Sequence, residues 1–275
     1  MEPDMSTLLI NSGPLTARTA PLAGNVSAAA ATRRAAASLK DRTKRDPITP
    51  SNLLGVSAYT PAYGATAPSV IAPERSGKPA DVVPGYDDLS SYVDPPDCFR
   101  VTVGHWENRV VRGRFELDGH AYKFPLKDKT NSFHGSDNGL DEALWKVVAE
   151  KDGPIARVVL RHRSPNGGPG YPGNLDATVT CGLDGKGGRG TTFEANTNTP
   201  SIVNMTNVGV LPLAGERSPQ RALDQRLTIL ANAITPVNPT LIPTGNLRPV
   251  AGTVAALDPP LSPTHPTKPV LFRAR

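Results

Sequence analysis

The stretch IARVVLRHRSPNGGPGYPGNLDATVTC, residues 155–181, is a strand, a reversal and a second strand written in order. An apolar run over Ile155–Arg163 meets Ser164-Pro165-Asn166-Gly167-Gly168, where asparagine and glycine tolerate the positive φ of a tight turn. A second run over Asp176–Cys181 follows. Working outward, the same texture repeats. Short apolar segments at Ser69–Ala72, Arg100–Val103, Arg109–Leu117, His120–Phe124, Trp145–Glu150, Thr191–Ala195, Ile202–Thr206 and Arg226–Leu230 predict strands separated by turn signals. Leu117–Phe124 reads as the clearest hairpin, with Asp118-Gly119 at its tip. Leu183-Asp184-Gly185 marks another turn. The 29 prolines and 25 glycines among 275 residues oppose long helices, so the fold class expected is all-β, a sandwich.

The chain divides into three parts. Residues 1–55 read as a flexible N-terminal tail, with at most one short helix over Ser27–Lys40; a β-sandwich domain is expected over 56–256, and a proline-rich tail over 257–275. Part of that first stretch, residues 14–45, is rich in Ala, Arg, Ser and Thr, which suits a transit segment or disorder alike. The net charge of +5 is spread out, and its densest run, Arg33 to Arg45, lacks interleaved aromatics, so no nucleic-acid partner is expected. No apolar run reaches the length of a membrane span, so no membrane partner is expected either. Cys98 and Cys181 have no metal-ligand spacing and are read as thiols of a reducing compartment, the cytoplasm. The five histidines (His105, His120, His134, His162, His265) share no ligand spacing, so no metal and no cofactor is expected.

Several segments, in order, resemble one known pattern. They are Ala62-Tyr63-Gly64, Gly77 through Leu89 (GKPADVVPGYDDL), Thr102 through Val110 (TVGHWENRV), Asn131-Ser132-Phe133-His134-Gly135 with Gly139-Leu140-Asp141 and Trp145, the 164–175 turn, Pro200 through Asn207, and Leu241 through Gly245 with Pro249 through Thr253. Together they resemble the aldose 1-epimerase, or galactose mutarotase, family over about residues 60–254. The resemblance implies an antiparallel β supersandwich, here incomplete at the C-terminus, with a monosaccharide, an aldohexose, as partner. It also implies a reaction, the interconversion of α and β anomers. A carboxylate removes the C1 hydroxyl proton and a histidine protonates the ring oxygen, each transfer contributing ~10²–10⁴-fold.

Carried over by position, Asn108 and Arg109 match the family's sugar-binding Asn-Arg pair, and His134 matches a sugar-contacting histidine. Arginine suits the role because its planar fork reaches adjacent oxygens. The general acid is expected directly after Thr206-Asn207, where this chain has Val208, a residue without a proton to give. No position matches the family's glutamate base, nor the sugar-binding aspartate, within the sequence. His105 replaces an arginine of the pattern and Glu107 an alanine. On one extended strand Glu107 and Arg109 would share a face and pair; a substitute base at Glu107 is the alternative. His105 and His134 are further candidates to meet in a cleft. The activity expected is therefore a mutarotase reaction impaired or lost. The alternatives are a non-catalytic carbohydrate-binding module and a truncated or frameshifted product.

Overall fold

The computed structural model describes residues 100–185, 188–209 and 232–251 without a break, together with 62–66, 70–73, 79–83, 86, 90–93 and 98. It also gives the backbone of 9–10, 15–18, 29–33, 48–52 and 57–58. The described part is nearly all β, with one helical turn at Ser90–Val93 and one 3-10 turn at Val111–Gly113.

The 155–181 segment forms the centre. Ile155–Ser164 pairs antiparallel with Leu175–Asp184, Val158 facing Cys181 and Arg163 facing Asp176. Lys146–Lys151 joins one side; Arg189–Thr197 and then the backbone of Leu15–Arg18 join the other, making five strands. Side chains alternate across a strand, and the sequence obeys that period: Ala156, Val158 and Leu160 are buried while Arg157 and Arg161 are exposed. The buried face continues through Leu175, Ala177, Val179, Phe193 and Ala195 and packs on Trp145, Leu140 and Val203. Each fully buried Val or Leu contributes roughly 1.5–3 kcal/mol. Trp145 keeps its indole N–H satisfied at Leu140 O, 3.0 Å away, as a buried indole must.

The hairpin at Asp118-Gly119 forms as expected. Arg114–Leu117 pairs with His120–Lys123, Leu117 facing His120, and both turn residues have positive φ, 51° and 75°. The longer strand expected over Arg109–Leu117 is broken. Arg109–Val110 leaves to pair with Ser132–Phe133, and Val111–Gly113 turns with Arg112 at φ 52°. The Arg112 N–H donates to Asn131 Oδ1 at 3.1 Å, which holds a conformation that an arginine sequence does not announce.

The strand expected over Ile202–Thr206 is likewise two short pieces, Ser201–Ile202 and Thr206–Asn207, the latter pairing with Thr102–Val103. Within 1–55, Ala29–Arg33 is a strand paired with Ile48–Asn52, so the Ser27–Lys40 helix is not formed there. That pair belongs to a second five-stranded sheet with Ser57–Ala58, Val70–Pro73 and Pro79–Asp81. The strand expected at Arg226–Leu230 lies outside the described residues.

Contacts divide the chain into two compact units: Leu8–Arg217, and Met1–Thr7 with Ser218–Arg275. In the second, Ala233–Ile234 pairs with Arg248–Pro249. Asn238 Oδ1 there accepts from the N–H groups of Thr240 (2.9 Å) and Ile242 (3.0 Å).

Candidate active site

The pairing of Arg109–Val110 with Ser132–Phe133 sets Arg109 opposite Phe133 and brings Asn108 beside His134. Both Asn108 (φ 63°) and His134 (φ 52°) are left-handed, so the chain reverses at each instead of running on as strand. The two residues then lock each other. The His134 N–H donates to Asn108 O at 3.0 Å, and the Asn108 N–H donates to His134 Nδ1 at 3.1 Å. Because Nδ1 accepts, the ring proton sits on Nε2. Burial, with Lys127 and Arg109 adding positive charge nearby, lowers the His134 pKa to about 4. At neutral pH the site therefore presents an uncharged imidazole with one N–H donor.

Gly135 makes that arrangement possible. Its φ is +88°, and a Cβ there would lie 1.7 Å from Gly104 O, inside the carbonyl itself. The backbone carrying His134 is pressed against the 104–105 peptide, and only glycine allows the approach.

Arg109 is held on three sides. Its Nε donates to Asp128 Oδ2 at 2.6 Å, an N–H of Nη1 donates to Asn108 Oδ1 at 3.0 Å, and Cζ lies 4.7 Å over the Phe133 ring. The side chain is 17% exposed, so the remaining N–H groups of the fork are fixed in direction and reachable.

The structure corrects two expectations. Glu107 is not the ion partner of Arg109; Asp128 is. The i/i+2 argument needs an extended residue between them, and Asn108 at φ 63° removes the shared face. Glu107 is half-buried instead, which raises its carboxyl pKa. His105 does not meet His134 in an open cleft. It is fully buried, stacked on Tyr171 at 4.3 Å and 14°, and neither ring nitrogen has a hydrogen-bond partner among the described residues.

Behind the site, Lys127 donates to Glu142 Oε1 at 2.5 Å and stands 3.8 Å from Asp141 Oδ2. Burial raises the Asp141 pKa to about 6 despite that cation. Val208 lies on a different pairing: its N–H donates to Val101 O (3.1 Å), and its carbonyl accepts from the Arg100 N–H (2.6 Å). Its side chain is half-buried and apolar. Lys127, Asp128 and Phe133 were missed by sequence reasoning. Phe133 alone carried a signal, since it precedes His134 in the quoted segment. Among the described residues no three His, Cys, Asp or Glu side chains are grouped to hold a metal.

The family model for aldose 1-epimerase matches residues 47–267, most of the chain. The chain belongs to the aldose 1-epimerase family. It is 38% identical over 200 residues to the galactose mutarotase of Rattus norvegicus, covering 73% of this chain and 57% of that protein. Against the galactose mutarotase of Homo sapiens the identity is 36% over 211 residues, with 77% and 59% covered. The aldose 1-epimerase of Escherichia coli is 31% identical over 206 residues, with 75% and 58% covered. This aldose 1-epimerase family chain thus spans under three fifths of the length of these curated relatives. Among solved structures, the galactose 1-epimerase of Lactobacillus acidophilus superposes with a TM-score of 0.72 at 26% identity, covering 82% of this chain and 64% of that one. An aldose epimerase homologue from C. elegans gives 0.69 at 26% identity, covering 74% and 61%. The fold is the galactose mutarotase-like β-sandwich.

Proposed function

We propose that this aldose 1-epimerase family chain binds a free aldohexose, such as galactose or glucose, through Asn108, Arg109 and His134, and that interconversion of its anomers is impaired. The observation that carries the reading is the interlocked trio itself. Arg109 and His134, each tied to Asn108, keep N–H donors that these bonds do not use, which suits the acceptor oxygens of a neutral sugar.

The same geometry argues against efficient proton transfer. With Nδ1 occupied and its pKa at about 4, His134 holds almost no imidazolium at neutral pH, so it positions a hydroxyl better than it protonates a ring oxygen. Val208, where the family's acid is expected, gives no proton. Ring opening would then rely on water. The Cys98 thiol faces Asp141 Oδ2 and Cys181 is buried, neither forming a disulfide among the described residues, in keeping with a cytoplasmic setting, and among the described residues no helix is long and apolar enough to cross a membrane.

Polarimetry on freshly dissolved α-galactose tests the impairment. The full chain at micromolar concentration is expected to leave the rate at the buffer blank. A rate well above the blank that His134→Ala abolishes would contradict the reading.

A further inference from the structure

We infer that the 165–174 loop and its neighbours form a second carbohydrate-binding site, built for neutral, hydroxyl-rich sugars and separate from Asn108, Arg109 and His134. An open cavity of about 430 Å³ lies there, walled by Tyr122, Asn166, Tyr171, Asn174, Asn198 and Thr199 with intervening glycine backbone. That volume is within the ~300–1,000 Å³ of ordinary small-molecule sites.

The chemistry of the wall follows from three asparagines. Asn166 Oδ1 accepts the Gly173 N–H at 2.7 Å, Asn174 Oδ1 accepts the Asn166 N–H at 3.0 Å, and Asn198 Oδ1 accepts the Asn174 N–H at 2.7 Å. A backbone N–H only donates, so the atom meeting it must be the amide oxygen, and the orientation of each amide is fixed. Each side chain is left with its NH2, two donors, as the group not used by the loop. Asn166 and Asn198 are exposed and Asn174 half-exposed, so these donors are within reach of solvent.

The cavity has no charged residue in its wall among the described residues. An anionic ligand would call for Arg or Lys, whose charge-assisted bonds are about twice as strong as neutral ones. Several neutral donors beside an aromatic ring fit sugar hydroxyl and ring oxygens instead. Tyr122 supplies the ring, half-buried and stacked on Phe115 at 4.9 Å. The loop is also held before any ligand arrives, by Gly167 N–H to Tyr171 O (2.8 Å) and Gly168 N–H to Pro165 O (3.0 Å), so little ordering cost opposes binding.

The test follows the side-chain amide signals of Asn166, Asn174 and Asn198 by NMR in the full chain. Methyl α-D-glucopyranoside, whose blocked C1 cannot change anomer, is one probe, and maltotriose is the other. Saturable shifts of these amides at millimolar sugar are expected. Tighter binding of maltotriose assigns the site to glycan chains, and equal binding assigns it to single sugar units. Asn174→Asp and Asn198→Asp keep the oxygen that caps the backbone and remove the NH2, so each is expected to weaken binding about tenfold with the fold intact. The shifts should persist in Arg109→Ala, which separates this site from the first. Amides unmoved by both sugars, or shifted by inorganic phosphate in their place, would overturn the inference.

Discussion

Arg109→Ala is expected to weaken galactose binding by about 100-fold in a calorimetric titration, while leaving the melting temperature within a few degrees. Each hydrogen bond from a charged donor contributes about 1.5–3 kcal/mol, and the fork has room for two beyond those it gives Asp128 and Asn108. Removing the guanidinium also strips Asp128 of its 2.6 Å partner, but Asp128 is partly exposed and can take water instead. The conservative exchange is informative here. Arg109→Lys keeps the charge and loses the planar fork, and a Lys cannot meet Asp128, Asn108 and the Phe133 face at once. It is expected to recover little of the lost affinity. Unchanged affinity in Arg109→Ala would remove Arg109 from the site, and unchanged affinity in Arg109→Lys would remove the need for its planar fork.

The second large effect is acid instability centred on His105. Its ring is fully buried with no partner for either nitrogen among the described residues, and burial lowers its pKa to about 3, with His162 adding a smaller push. In the unfolded chain a histidine titrates near ~6.5. Between those two values the unfolded state binds the proton and the folded state does not, so stability falls as pH drops from about 6.5 toward 3. The ceiling on that loss is about 5 kcal/mol, comparable with the whole stability of a small domain. His134 acts in the same direction with a smaller shift, and Asp141, raised to about 6, acts in the opposite one. His105→Phe isolates the contribution, because it keeps a flat ring against Tyr171 and removes the titrating group. Urea midpoints at pH 7 and pH 4.5 are expected to differ by much less in the variant than in the parent chain. Equal pH dependence in the two would place the acid sensitivity elsewhere.

The central sheet was legible because its turns announce themselves. Asn166-Gly167 and Asp118-Gly119 supply residues that accept positive φ, and the runs between them have strand length and apolar content. The breaks were not legible, because positive φ at Arg112 and at His134 contradicts local preference and is imposed by partners far along the chain, Asn131 and Asn108. The same holds for the electrostatics. Glu107 is two residues from Arg109 and Asp128 is nineteen, yet Asp128 holds the guanidinium, since the reversal at Asn108 turns Glu107 away from that face. His105 read as a site residue because it replaces an arginine of the family pattern. Its burial against Tyr171 depends on the 165–174 loop folding back over it, a contact that no local signal encodes. Asn108, Arg109 and His134 were found as a set only through the family resemblance, and the structure adds how they are joined.

Histidine-resolved ¹⁵N NMR on the full chain, with galactose titrated in at pH 7, tests most directly whether His134 serves this trio as an uncharged donor. His134 should be uncharged with its proton on Nε2, and that nitrogen alone among the histidines should shift saturably as sugar is added. An imidazolium signal for His134 at pH 7, or an Nε2 resonance that galactose leaves unmoved, would contradict the account.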